Sequence, residues 1–205
     1  MNKPKIILVG AGGHCHSCID VIEQQYIYEI AGLVGKEDET DSSRLGYKVI
    51  GTDADLPRLL KSYSYALITI GQIKSSENRV RLYEKIRNLG FRLPIITSPR
   101  AYVSKRSIVR DGSIIFHGAI INAGATIGSN CIINTNSIIE HDVSIGNNCH
   151  ISTGTILNGD VTVGDGSFVG SGVTIKQGVR IGKECIVGMG LTVRHDLADY
   201  TQFIG

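Results

Sequence analysis

Ile127-Gly128-Ser129-Asn130-Cys131-Ile132-Ile133-Asn134-Thr135-Asn136-Ser137-Ile138-Ile139-Glu140-His141-Asp142-Val143-Ser144-Ile145 is the stretch whose reading decides the fold. An isoleucine stands at every sixth position of it. The spacing extends back to Val103 and forward to Val193 without a miss, and fifteen of the sixteen ladder residues are β-branched. A strand repeats every two residues and a helix every 3.6, so neither explains a strict six. Six-residue repeats build a parallel β-helix, in which each repeat supplies one flat face of a coil.

A second period counts the faces. Gly128, Gly146, Gly164 and Gly182 are eighteen apart, as are Cys131, Cys149, Ser167 and Cys185, and Ala125, Val143, Val161 and Val179. Three hexads therefore make one coil, and equivalent positions stack. The recurring glycines are expected at corners, where the backbone either turns left-handed or crowds its neighbour. About five coils at roughly 4.8 Å each predict a rod on the order of 24 Å long.

Ahead of the hexads the pattern changes. Lys5-Ile6-Ile7-Leu8-Val9 reads as a buried strand running into Gly10-Ala11-Gly12-Gly13-His14 and then a helix over Ser17–Gln25. Strand, glycine-rich turn and helix open a nucleotide-binding α/β unit, because bare N–H groups at a helix start suit a phosphate. Strands follow at Glu29–Val34, Tyr47–Ile50, Tyr65–Ile70 and Leu93–Ile96. Helices are expected at Asp53–Tyr63, capped by Asp53, and at Ser75–Leu89, closed by Gly90. Pro94 and Pro99 bracket a boundary near residue 98. The fold class is thus a Rossmann-like α/β domain over residues 1–98, followed by a β-solenoid over 99–205.

Composition narrows the function. Of 205 residues 25 are glycine, and the formal net charge is +2. No Lys/Arg run exceeds two residues, so nothing supports a nucleic-acid or membrane-surface partner. No apolar run approaches a membrane span, and Ile6–Val9 is too short for a signal-peptide core. Three of the five cysteines fall in the inner ladder, so a reduced, cytoplasmic protein is expected. A dehydrogenase is disfavoured. Cys15 stands at the third glycine of the dinucleotide pattern, and Gly35-Lys36 stands where the ribose-binding acid belongs. Cys15-His16-Ser17-Cys18 has the spacing of half a zinc site but no second half, so no metal is expected.

Chemistry concentrates at Glu140-His141-Asp142. A histidine titrates near neutrality and can take a proton from an attacking amine or hydroxyl, and a neighbouring carboxylate orients the ring and raises its basicity. Nearly the whole chain resembles the sugar acetyltransferases of the PglD/NeuD type, which are hexapeptide-repeat acyltransferases. The residues carrying the likeness are Gly10-Ala11-Gly12-Gly13-His14, Thr69-Ile70-Gly71 with Asn78-Arg79, and Asn134-Thr135-Asn136-Ser137-Ile138-Ile139-Glu140-His141-Asp142 with His150-Ile151-Ser152 and Asn158-Gly159.

The resemblance implies a left-handed β-helix, a homotrimer with active sites between protomers, and acetyl-CoA as co-substrate. It implies His141 as catalytic base and Asp142 as its supporting acid. His150, Ser171 and Met189 would meet acetyl-CoA, and the Gly159 N–H would steady the oxyanion. Gly12, Gly13, His14 and Gly71 would meet the nucleotide sugar. The expected reaction is acetyl transfer to the 4-amino group of a UDP-amino-dideoxy sugar, with O-acetylation of sialic acid as the alternative. The resemblance also implies that one or two Asp at the end of the second strand grip uridine in some relatives, and here that place reads Gly35-Lys36. A zinc carbonic anhydrase would need converging histidines, and His117, His141 and His150 lack that spacing. A bare scaffold would need neither His141 nor the glycine turn. His16, His117 and His195 are expected to be structural or exposed.

Overall fold

The structure, a computed structural model, describes residues 3–40 and 42–205. The N-terminal domain is built from β1 (Lys5–Val9), α1 (Gly13–Gln25), β2 (Glu29–Gly35), β3 (Ser43–Arg44), β4 (Tyr47–Thr52), α2 (Leu56–Leu60), β5 (Tyr65–Ile68) and α3 (Glu77–Leu89). The sheet order is β3-β4-β2-β1-β5, all parallel except the β3–β4 pair. β1 lies between two neighbours, so its Ile6, Ile7, Leu8 and Val9 are buried on both faces, as an unbroken apolar run requires. α1 starts at Gly13, four residues earlier than the sequence pattern suggests, so His14 lies in its first turn. α2 is shorter than expected, and Asp55 rather than Asp53 precedes it. α3 ends at Gly90 with φ 99°, the left-handed closure that glycine permits.

Ile96–Thr97 pairs with Ile114–Ile115 and so already belongs to the solenoid. From there two-residue strands wind a three-faced prism. The first face runs from Ile96–Thr97 to Gln202–Phe203, the second from Tyr102–Val103 to Thr192–Val193, and the third from Ile108–Val109 to Arg180–Ile181. Register is eighteen from coil to coil as far as Val193, as in Ile120↔Ile138 and Ile121↔Ile139, and the last coil is shorter, with Ile186 paired to Gln202. The six-residue ladder fills the interior, and from Ile115 to Val193 its members are buried. The described residues include no helix long and apolar enough to cross a membrane.

The recurring glycines resolve in favour of crowding. A Cβ on Gly128 would lie 2.5 Å from the Gly146 carbonyl oxygen, and one on Gly164 would lie 2.6 Å from the Gly182 carbonyl carbon. The left-handed residues stand elsewhere, at the second position of each corner pair, in Gly124, Asn136, Asp142, Asn148 and Asp160 among others. The ladder cysteines are more than small apolar fillers. Cys131 and Cys149 donate to the Gly146 and Gly164 carbonyls at 3.0 and 3.2 Å, as Ser113 and Ser167 donate to Gly128 and Gly182 at 2.8 Å.

The three faces differ in what points outward. The third shows Thr126, Ser144, Thr162 and Arg180. The first shows Ile114, Ile132 and His150, and the N-terminal domain covers it, since Ile114, Phe116 and Ile132 share a buried cluster with α1 and β1. The second shows Tyr102, Ile120, Ile138 and Ile156, with Tyr102 and Ile120 exposed.

Candidate active site

His141 and Asp142 form the corner between the second and third faces. Asp142 occupies the left-handed position with φ 60°, which Asp tolerates better than most residues and which Gly124 fills one coil earlier. Asp142 Oδ2 lies 2.9 Å from His141 Nδ1. A carboxylate only accepts, so Nδ1 carries the proton and Nε2 keeps its lone pair. The hydrogen bond to Asp142, reinforced by the charges of Asp142, Glu140 and Asp160, raises the His141 pKa above its ordinary value. The two flanking acids have different tasks, because Glu140 accepts a hydrogen bond from the Asn122 amide at 3.0 Å.

Gly159 stacks one coil beyond His141. A Cβ there would lie 2.6 Å from His141 Cε1 and 2.7 Å from Nε2, so only glycine leaves the ring where it is. Among the described residues the Gly159 N–H has no acceptor, while its carbonyl accepts from Gly178 at 3.0 Å. Ser171 and Met189 lie on another edge, between the first and second faces. Met189 is exposed, and Ser171 shares a hydrogen bond with Ser152 at 2.8 Å. One chain therefore does not bring them beside His141.

His150 is placed differently from a groove residue. It is buried under the N-terminal domain, with Nδ1 donating to the Gln72 carbonyl at 2.7 Å and Nε2 3.2 Å from the Asn134 amide. His14 lies nearby, with ring centroids 6.3 Å apart. Burial lowers both histidines, His14 to about 3 and His150 to about 4, and the nearby Arg79 charge adds to this. Both rings are neutral at physiological pH. Among the described residues the buried His14 Nε2 has no hydrogen-bond partner.

Gly12 lies on a crevice of about 910 Å³ at the carboxyl ends of β1, β2 and β4. Gly71 and Gln72 line it, as do Lys36, Glu37, Asp53, Arg79 and Arg81. Gly13 is exposed beside Gly12 at the helix start, and His14 packs against Gly71. An acidic side chain does line the crevice two residues past the end of β2. The 3₁₀ turn Glu37–Glu39 puts Glu37 on the crevice, while Glu39 caps the Lys36 N–H at 2.9 Å and pairs with Arg44. His117 bridges the domains through Ser98 and Asp20, at 2.6 and 2.7 Å, and His16 and His195 are exposed.

A family model for the PglD N-terminal domain matches residues 5–86, and one for the GMPPB C-terminal domain matches residues 115–199. A solved His-to-Asn variant of perosamine N-acetyltransferase from Caulobacter crescentus, in complex with CoA and GDP-perosamine, is 33% identical. The match covers 95% of this chain and 90% of that one, with a TM-score of 0.89. The chain belongs to the PglD/NeuD-type family of hexapeptide-repeat sugar acetyltransferases. Its fold is the α/β domain joined to a left-handed parallel β-helix, and it is an acyltransferase. The acetyltransferase domain of PglB from Neisseria gonorrhoeae FA1090, in complex with acetyl coenzyme A, is similar at 28% identity. That match covers 97% of this chain and 95% of the other, with a TM-score of 0.88. WeeI from Acinetobacter baumannii AYE, at 18% identity and a TM-score of 0.72, shares the fold. No curated protein matches the chain by sequence.

Proposed function

We infer that this member of the family transfers acetyl from acetyl-CoA to the amino group of a nucleotide-linked amino-dideoxy sugar. The single observation that carries the reading is the His141–Asp142 pair, which leaves an accessible Nε2 lone pair against Gly159, whose N–H has no acceptor among the described residues. The relatives' complexes with CoA, acetyl coenzyme A and GDP-perosamine support it. The UDP sugar expected from the resemblance is one member of this substrate class, and a GDP sugar is another.

In the reaction the sugar nitrogen attacks the thioester carbonyl, and His141 Nε2 takes a proton from it. The tetrahedral oxyanion accepts a hydrogen bond from Gly159 N–H. The intermediate collapses with cleavage of the carbon–sulfur bond. The imidazolium returns its proton to the departing thiolate, which leaves the acetylated sugar, CoA and His141 in its starting state. Direct transfer uses no cysteine, and all five are buried and free. Asp142 holds the ring and stabilises the imidazolium throughout.

The acetyl-CoA groove is proposed to form between copies of the chain in a homotrimer. His141 and Gly159 lie on one edge of the second face, and Ser171 and Met189 lie on the other. The apolar outward row Tyr102, Ile120, Ile138 and Ile156 between them suits contact with a second copy. The test is incubation of the purified protein with acetyl-CoA and, in separate reactions, amino sugars linked to UDP or to GDP and free sialic acid, followed by mass spectrometry. One added acetyl group, located on the sugar nitrogen, is expected. Acetylation only of a hydroxyl, or only of free sialic acid, would overturn the N-acetyltransferase reading.

A further inference from the structure

The crevice of the N-terminal domain has two chemically different ends. One is the glycine turn at the start of α1. The other is formed by the turn after β4 and the exposed side of α3, where Arg81 Nη2 lies 3.6 Å from Asp53 Oδ2 and both side chains line the cavity. The turn carrying Asp53 is locked from three directions. Asp55 Oδ2 accepts the Thr52 N–H at 2.9 Å, the Thr52 carbonyl accepts the Asp55 N–H at 2.9 Å, and Lys85 Nζ donates to the Asp53 carbonyl at 2.7 Å. The side chains of the ion pair are 38% and 59% accessible, and pairs so exposed contribute little to stability. Fixing this turn so firmly has a reason if the carboxylate receives a ligand.

We propose that Asp53 and Arg81 read the base of the nucleotide, and that the base is guanine. The inference rests on the nucleotide-sugar reading above. The pairing edge of guanine presents two adjacent N–H donors, on N1 and N2, beside the O6 acceptor. A carboxylate takes two parallel donors, and a guanidinium beside it donates to O6. The edge of uracil sets one donor between two carbonyl oxygens, so one carboxylate oxygen of Asp53 would face a lone pair. The edge of adenine turns an acceptor nitrogen toward the same carboxylate. Both mismatches leave a partly desolvated charge unpaired, which costs more than the contact returns.

Calorimetric titration of the full-length protein with GDP, UDP and ADP tests this directly, beside Asp53→Asn and Arg81→Gln. The wild type is expected to bind GDP about ten- to a hundredfold more tightly than UDP or ADP. Asp53→Asn should remove that preference, by weakening GDP and relieving the mismatch with uracil, while keeping the melting temperature, since the locked turn is held by Asp55 and Lys85. Arg81→Gln should weaken GDP alone. UDP binding equal to or tighter than GDP would overturn the base assignment and leave the acetyltransferase reading intact. So would a GDP preference that survives Asp53→Asn. Failure of every nucleoside diphosphate to bind would overturn both.

Discussion

At the scale of single residues the account turns on one corner of the solenoid. His141 owes its tautomer to Asp142, and Asp142 owes its position to a left-handed corner that other coils fill with glycine. His141→Ala is expected to lower kcat by roughly 10²–10⁴ with an unchanged melting temperature, because the side chain is exposed. A base must be unprotonated to act, and the Asp142 bond raises the His141 pKa. The acidic limb of the kcat/KM profile should therefore lie above the ordinary histidine value, and in Asp142→Asn it should move to lower pH. An unmoved limb would assign it to another group. Gly159→Ala should displace the ring, so its rate falls while its stability holds. Cys149→Ser should fold normally, because a hydroxyl can donate to the Gly164 carbonyl as Ser167 does to Gly182. Thermal melting of that variant, beside Cys149→Val, checks the point, with only the valine form expected to melt lower.

At the scale of elements, the loop joining β5 to α3 and the first turn of α3 carry a polar tie between the two domains. Gln72 Nε2 donates to the Gly166 carbonyl at 2.9 Å, Ser76 Oγ reaches Glu184 at 2.9 Å, and Arg79 donates to the Ile70 carbonyl and to Asn130 at 2.7–2.8 Å. Arg79 is fully buried, and burial lowers its pKa to about 10, so it stays charged at neutral pH. Arg79→Leu would leave buried carbonyls unpaired and should cost about 2–4 kcal/mol in denaturant unfolding. A cost near zero would show that the guanidinium is not what seats the crevice on the solenoid.

This role was partly legible. Arg79 shares its helix stripe with Leu82, Tyr83 and Ile86, and a charge in an apolar stripe needs a partner. The partner, Asn130, lies 51 residues away, and no local pattern finds it. The hexads were readable because each inward residue repeats a local rule. Glu37 was missed as a crevice residue because the pattern for an acid after the second strand looks at the strand end itself, and here a 3₁₀ turn carries the acidic side chain past it. The burial of His150 depends on where the N-terminal domain docks. The outward Ile114 and Ile132 on the same face were the available hint.

At the scale of the molecule, a neutral histidine pair sits at the seam between domains. The folded-state pKa values of about 3 for His14 and about 4 for His150 lie below the ordinary 6.5. The unfolded chain thus binds these protons first, and stability present above pH 6.5 is lost as pH falls toward 4. His150→Gln should flatten the decline of the melting temperature between pH 6.5 and 4.5, a difference on the order of 2–3 kcal/mol. An identical slope in the variant would remove His150 from the seam's acid sensitivity. If copies share each groove, mixed oligomers of His141→Ala and Ser171→Trp should regain activity that neither variant has alone. No recovery on mixing would confine the site to one chain.

The central claim is that this surface corner, and no cysteine or metal, moves the proton in acetyl transfer. The most direct measurement is the rate of thiol release from acetyl-CoA with a GDP- or UDP-linked amino sugar, followed from acid to alkaline pH for the wild type and His141→Ala. The account predicts sugar-dependent release that rises through a single ionisation above the ordinary histidine value, and a slow, pH-flat remnant in the variant. Equal rates and equal pH profiles for the two proteins would contradict it.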